Sequence, residues 1–289
     1  MMRKNKNITL VLLLGVLFIH NTFAQNPKGF IPDSCSYRVI SQPSELTKIS
    51  SLVYGNNYKY PFLLFDNTVL LLSNDEVTEP VAFTIPKEMN ACEDLFISEG
   101  LLICKRENST KSFDGKRVID LFSMPNADFN IYPANSSHFY FVKHSSDSSF
   151  VYLFEYSTKR FSKLFDAPFL IDHFVGNGHE CFITSGEVIY YVSDEICTIV
   201  EVADSKIQSI DFYSEGAFFS TEKACYYMGL PGKSYPFLLG NIKQVMLVDN
   251  RLYLLFNDGL LSVIDNADQY QVLLDAVING ENKKENEKH

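Results

Sequence analysis

Beyond residue 25 the chain shows no sustained apolar spacing of three and four residues, the mark of an amphipathic helix. Short apolar runs rich in Phe, Tyr, Val, Ile and Leu fill it instead, bounded by Gly, Asn, Asp and Ser. That is the chemistry of strands joined by tight turns. Six runs align with one another: Phe62-Leu63-Leu64-Phe65, Leu101-Leu102-Ile103-Cys104, Phe139-Tyr140-Phe141-Val142, Cys181-Phe182-Ile183, Ala217-Phe218-Phe219 and Leu252-Tyr253-Leu254-Leu255. Their starts lie 39, 38, 42, 36 and 35 residues apart. Turn-forming groups precede most of them, among them Glu99-Gly100, Asn177-Gly178 and Asp249-Asn250, and another apolar segment precedes each turn.

Two more strand-like segments follow each run. The third of each set falls at 69–72, 150–154, 188–192, 225–228 and 260–264, and is weak only in the second repeat, around Ser112-Phe113-Asp114-Gly115. The fourth falls at 81–85, 118–122, 161–165, 197–200, 235–239 and 270–274. A four-stranded antiparallel sheet cannot cover its own two faces. Packing six of them radially buries both faces of each, which suits continuous apolar runs better than strict alternation would. The spacing therefore predicts an all-β fold, a six-bladed β-propeller of four-stranded antiparallel blades. Blades are expected to begin near residues 46, 91, 127, 169, 206 and 242, with 36–41 as an extra strand closing the ring against the last blade. A β-sandwich, or two stacked barrels, is the alternative. Over about residues 40–277 the chain resembles a generic secreted six-bladed propeller and no specific family. It has no Trp, so the Trp-Asp of WD40 repeats and the Trp-bearing repeat of quinoprotein dehydrogenases are missing. The aspartate box of sialidases is missing as well.

The N-terminal pattern changes the picture of where this fold works. Arg3, Lys4 and Lys6 precede an apolar run of 12 residues, 8–19, and then Thr22-Phe23-Ala24 before Gln25. This is the basic, apolar, small-residue order of a cleavable secretory signal, and a spanning helix would need about 20 residues. The expected organisation is a signal peptide at 1–24, one propeller domain at 25–278 and a disordered polar tail at 279–289. The expected compartment is periplasmic or extracellular, with no membrane insertion after cleavage. Removing 1–24 takes away three bases and no acid, so the formal charge of −10 becomes −13. That acidity argues against nucleic acid and anionic membranes as partners.

Export makes disulfides possible, and six cysteines permit full pairing. A turn around Ser98 sets Cys92 and Cys104 across a hairpin from each other, so this pair is the candidate bridge. Cys181 and Cys197 are expected to have Val192 between them, leaving them about 9–10 Å apart, beyond bridging distance. No two cysteines are separated by just two residues, so no zinc knuckle is indicated. No metal site and no cofactor is assigned.

Counting six residues back from Gly100, Ser136 and Gly178 gives Asp94, Asn130 and Asp172; Asp211 falls one place off this register. With His173, these side chains are the candidate ligand-binding ring at the axis, where residues distant in sequence converge. They can hold a cation or a cationic ligand group, or cap backbone N–H groups at strand starts; the structural role is favoured. No nucleophile elbow, Gly-rich phosphate loop or His-Glu-x-x-His is present, and no catalytic residue is assigned. The expected function is that of an exported non-enzymatic binding protein whose propeller face meets a protein or small ligand, one specific form being an inhibitor or immunity-type protein. A metal-assisted hydrolase or lactonase using the polar ring is the rival, and a structural envelope component a third.

Overall fold

The computed structural model describes residues 36–40, 49–73, 76–135, 137–176, 180–194, 196–213, 216–230 and 232–267. The expected signal peptide, the 270–274 segment and the C-terminal tail lie outside the described residues. An N-terminal strand, β1 (Tyr37–Val39), is followed by blade 1, made of β2 (Ser51–Val53), β3 (Phe62–Phe65), β4 (Thr68–Ser73) and β5 (Glu76–Thr84). Blade 2 holds β6 (Asp94–Ser98), β7 (Leu101–Arg106), β8 (Ser109–Phe113) and β9 (Val118–Ser123). Blade 3 holds β10 (Asp128–Asn135), β11 (His138–His144), β12 (Ser149–Glu155) and β13 (Arg160–Ala167). Blade 4 holds β14 (His173–Gly176), β15 (Glu180–Ser185), β16 (Val188–Ser193) and β17 (Ile196–Val202). Blade 5 holds β18 (Ser209–Tyr213), β19 (Gly216–Ser220), β20 (Ala224–Gly229) and β21 (Lys233–Leu239). Blade 6 is built from β22 (Ile242–Val248), β23 (Arg251–Phe256) and β24 (Leu261–Ile264), with β1 returning as its outermost strand. These are six antiparallel four-stranded sheets, and the chain is a six-bladed β-propeller.

The six aligned runs all occupy the second strand from the axis, β3, β7, β11, β15, β19 and β23. Their side chains are buried in continuous stretches, as in β19, where all five residues are buried. Each such strand faces a neighbouring blade on both sides, so both of its faces need apolar residues. Outer strands turn toward solvent, and nearly all residues of β9, β13 and β17 are exposed or half-buried. The buried apolar side chains accordingly fall into six clusters, one per blade interface. The interface of blades 2 and 3 is the most aromatic. There Phe122 from the outer strand β9 reaches across to Phe154 and Phe161, each with ring centroids 5.1 Å away.

Two of the hairpin turns have both central residues at positive φ. Glu99 and Gly100 have φ of 49° and 75°, and Asp249 and Asn250 have 50° and 63°. The first of these corrects the expected position of the blade 2 turn: it lies at Glu99-Gly100, not at Ser98, so Cys104 stands opposite Leu95 rather than Cys92. Cys92, just before β6, nevertheless bridges Cys104, with Cα atoms 5.6 Å apart. Closing a loop with a sequence separation of 12 removes chain entropy from the unfolded state worth about 3 kcal/mol. Val192 stands between Cys181 and Cys197 in register, as expected, and both are free.

Ring closure rests on β1, whose Tyr37, Arg38 and Val39 pair with Ile264, Val263 and Ser262. It takes the outermost place in blade 6 that the sequence pattern assigned to 270–274. Asp265 fastens it, accepting hydrogen bonds from Ser36 Oγ at 2.7 Å and from Arg38 Nε and Nη2 at 3.1 Å. Arg251 of β23 adds a second ion pair at 3.1 Å. Asp265→Asn is expected to lower the unfolding free energy, measured in urea, by about 1 kcal/mol, because these pairs are partly exposed and water screens them. An unchanged value would mean that backbone pairing alone holds β1 in place.

Candidate functional site

The innermost strand of each blade pairs on one side only, so its other edge turns backbone N–H and C=O groups toward the axis. The chain satisfies them by linking each inner strand to the next. From blade 1 to blade 2 the link is backbone to backbone: Ile97 N donates to Tyr54 O at 2.8 Å, and Asn56 N to Ile97 O at 3.0 Å. This close approach needs Gly55, where a Cβ would lie 2.5 Å from the buried Phe62 ring. From blade 2 to blade 3, Ile131 N donates to Asp94 Oδ2 at 2.9 Å. From blade 3 to blade 4, Tyr132 OH donates to Asp172 O at 3.1 Å. From blade 4 to blade 5, His173 Nε2 lies 3.2 Å from Ile207 O, a geometry that makes it the donor. From blade 5 to blade 6, Leu247 N donates to Asp211 Oδ2 at 2.6 Å, and Ser209 Oγ accepts from Val245 N at 3.2 Å. From blade 6 back to blade 1, the Gln244 amide takes both groups of Leu52, accepting from its N at 2.8 Å and donating to its O at 2.9 Å.

Around this ring lies an axial cavity of about 550 Å³ to which all six inner strands contribute. Of the candidate ring residues it brings together Asp94, His173 and Asp211. Asn130 and Asp172 stand apart from its wall. Asn130 turns sideways, donating weakly to Asp94 at 3.3 Å and lying 2.8 Å from His144 Nε2. His144 Nδ1 is 3.0 Å from Ser149 Oγ, which in turn accepts from Ile171 N at 3.0 Å. Asp172 turns to a second cavity of about 640 Å³ among blades 4, 5 and 6, lined also by His173, Lys206, Glu222 and Lys243. Its carboxylate accepts from Gly186 N at 2.6 Å and pairs with Lys206 at 3.4 Å. The five candidates thus form two groupings joined by His173, which lines both cavities.

Burial dominates the electrostatics. It pushes the Asp94 carboxyl up to about 6, against the Ile131 N–H, Lys105 and the Asn130 amide. It pushes Asp211 up to about 6 as well, against the N–H groups of Leu247 and Phe212. Burial, and then the charge of Asp211, raises Tyr54; burial, then Asp94 and Asp172, raises Tyr132. Burial lowers His144 and His173, so both rings are neutral at neutral pH. Lys105, itself buried, is paired with Glu93 and sits 5.3 Å over the Phe129 ring. Among the described residues no three His, Cys, Asp or Glu side chains gather as metal ligands.

Gln244, Tyr132 and His144 were not among the sequence candidates. Gln244 had a signal: it lies six residues before the turn residue Asn250, the same register that picks out Asp94, Asn130 and Asp172. His144 had none, because its partners come from β10 and β12 only after the blade is folded.

No known family profile and no curated protein matches this chain. Solved propellers do. Virginiamycin B lyase from Staphylococcus aureus superposes with a TM-score of 0.54 at 8% identity, over 80% of this chain and 99% of that one. The WD40 β-propeller domain of Doa1 gives 0.54 at 13%, over 81% and 99%. A chain of the nidogen–laminin complex gives 0.53 at 9%, over 68% and 87%. Likeness at these identities is one of fold, the β-propeller.

The two raised carboxyls set a pH dependence. A carboxyl whose folded value lies above its unfolded value of about 3.9 favours the folded state fully below that value, and the favour is lost as pH rises through about 6. Stability should therefore fall between about pH 4 and pH 7, by on the order of 1 kcal/mol per group. In the Asp94→Asn/Asp211→Asn variant, which keeps an acceptor for each N–H, thermal melts should lose this slope. A slope that survives in the variant would place its origin elsewhere.

Proposed function

We propose that this is an exported, non-enzymatic binding protein that presents one face of its propeller, the cavity among blades 4, 5 and 6, to a protein or small ligand. An inhibitor or immunity-type protein is the specific form. The observation that carries this is how the axial polar groups are used. Asp94, His173, Asp211 and Gln244 each bind the backbone of the next blade. The second cavity has a mixed-charge wall of Asp172, Lys206, Glu222 and Lys243, of which Asp172 also accepts from Gly186 N and Lys243 also donates to Ser50 O, a surface suited to a polar, charged partner. The Cys92–Cys104 bridge and the N-terminal basic-apolar-small order support an oxidising, exported setting. Among its fold relatives, one is a lyase and another comes from a two-protein complex, so the fold accommodates either use. The hydrolase or lactonase reading keeps one observation in its favour, two axial carboxyls that titrate near 6, where general acid–base groups work best.

Two measurements on the purified protein separate these. Partner or ligand retention from an envelope extract should survive Asp94→Asn/Asp211→Asn and fall at least about tenfold in Lys206→Glu/Lys243→Glu, a variant that should still melt cooperatively although it loses the Lys206–Asp172 pair and the Lys243 bond to Ser50 O. A metal-dependent turnover of simple esters or lactones, abolished by Asp94→Asn, would overturn the proposal and establish the enzyme.

A further inference from the structure

The outer strand of every blade also has an open edge, a template for pairing with another chain unless it is guarded by charge, proline or shortness. Five of the six edges here are guarded. β5 contains Pro80 and β21 contains Pro236. β9 carries Asp120, paired with Lys111 at 3.4 Å. β13 carries Arg160, Lys163 and Asp166, and β1 is three residues long with Arg38 in its middle. β17 of blade 4 is different. It runs seven residues, Ile-Cys-Thr-Ile-Val-Glu-Val, without Pro, Lys or Arg, and pairs only with β16. Its one charge, Glu201, is held by Ser234 N at 2.7 Å and Val202 N at 2.9 Å. Among the described residues four large hydrophobic side chains are at least half exposed, and three of them are on this strand: Ile196 at 68%, Ile199 at 60% and Val202 at 59%.

Charge identifies what fits there. Residues 173–205 contain six acids and no Lys or Arg. Asp204 is paired with Lys223 of blade 5, but Glu187 and Asp194 have no described ion pair. Asp194 lies two residues before β17, in the turn from β16, while Glu187 adjoins Val188, the register partner of Val202 at the other end. The open edge is thus an apolar strand with acids at both ends. A second copy pairing antiparallel would bring Asp194 of one chain toward Glu187 and Glu201 of the other, and like charges facing each other across strands are destabilising. At the bulge residue Val200, Gly232 of blade 5 lies so close that a Cβ on it would be 2.0 Å from the Val200 carbonyl oxygen. That contact fixes the strand and leaves Ile196–Ile199 as its open stretch.

We propose that the rim of blade 4, along β17, takes an extended segment of a partner protein by strand addition, the segment being apolar in its middle and basic at both ends. This surface is separate from the cavity among blades 4, 5 and 6, and the two answer to different variants. The test uses the full folded protein and three labelled peptides whose apolar core matches the open stretch Ile196–Ile199: valine-rich with lysines at both ends, the same with glutamates at the ends, and the lysine-ended peptide with a proline in its core. Fluorescence anisotropy should show saturable binding of the first alone, weakened by added salt. Ile199→Lys, or Ile196→Lys should the first variant melt early, should cut affinity at least about tenfold, and Lys206→Glu/Lys243→Glu should leave it unchanged. Absence of binding, equal binding of the glutamate-ended peptide, or indifference to both isoleucine variants would overturn the proposal. So would a dimer in sedimentation that Ile199→Lys abolishes, which would assign the edge to a second copy.

Discussion

The structure depends on how six inner strands dispose of the backbone groups that face the axis. A strand inside a sheet has both edges paired, but the first strand of a propeller blade has a neighbour only on its rim side. Each orphaned N–H shut away from water costs about 1–3 kcal/mol, and six blades present such groups at the same place. Here every interface answers with at least one hydrogen bond from one blade to the next. Asp94, Asp211 and Gln244 do so by accepting from backbone N–H groups, Tyr132 through its hydroxyl and His173 through its ring nitrogen by donating to backbone carbonyls, and blades 1 and 2 through the backbone itself. Because these bonds run around the ring, the polarity at the axis that looks like a site is largely the means by which the ring is held.

The same requirement, one strand pair further out, accounts for the apolar interfaces and the closure. The second strands have no polar faces to spare and fill the six interface clusters. Ring closure cannot come from packing alone, since the first and last blades are far apart in the chain. β1 supplies it by completing blade 6 with a strand from the other end of the sequence. Gln244 and Leu52 tie the same seam at the axis. The seam is therefore held at both rim and axis.

Much of this was legible in the sequence, for a physical reason. Burial on both faces demands continuous apolar runs, and a repeated sheet demands them at a repeated spacing, so the strands beginning near Phe62, Leu101, Phe139, Cys181, Ala217 and Leu252 were visible. β1 was visible too, as a strand without a blade of its own. The blade 2 turn was misplaced by a residue or two because Ser98 and Glu99-Gly100 are both acceptable turn chemistry, and only the register decides. The polar ring was half legible. Counting back from turns found Asp94, but it gives sequence position and not direction. It could not tell that Asp172 turns to Gly186 and Lys206 while Asp94 turns to blade 3. The Asn130–His144–Ser149 chain depends on contacts across β10, β11 and β12 that no local pattern encodes. The unguarded rim of blade 4 was hidden because an exposed apolar strand and a buried one have the same sequence signature.

Native-state hydrogen exchange of three backbone amides tests most directly whether the axial groups are structural. Leu52, Ile131 and Leu247 donate their N–H groups to Gln244, Asp94 and Asp211. If those side chains hold the ring, these amides exchange as slowly as those in the ladder of β7, opening only with global unfolding. Exchange as fast as that along the open edge of β17 would show the axial bonds to be dispensable, and would return Asp94 and Asp211 to the role of a ligand site.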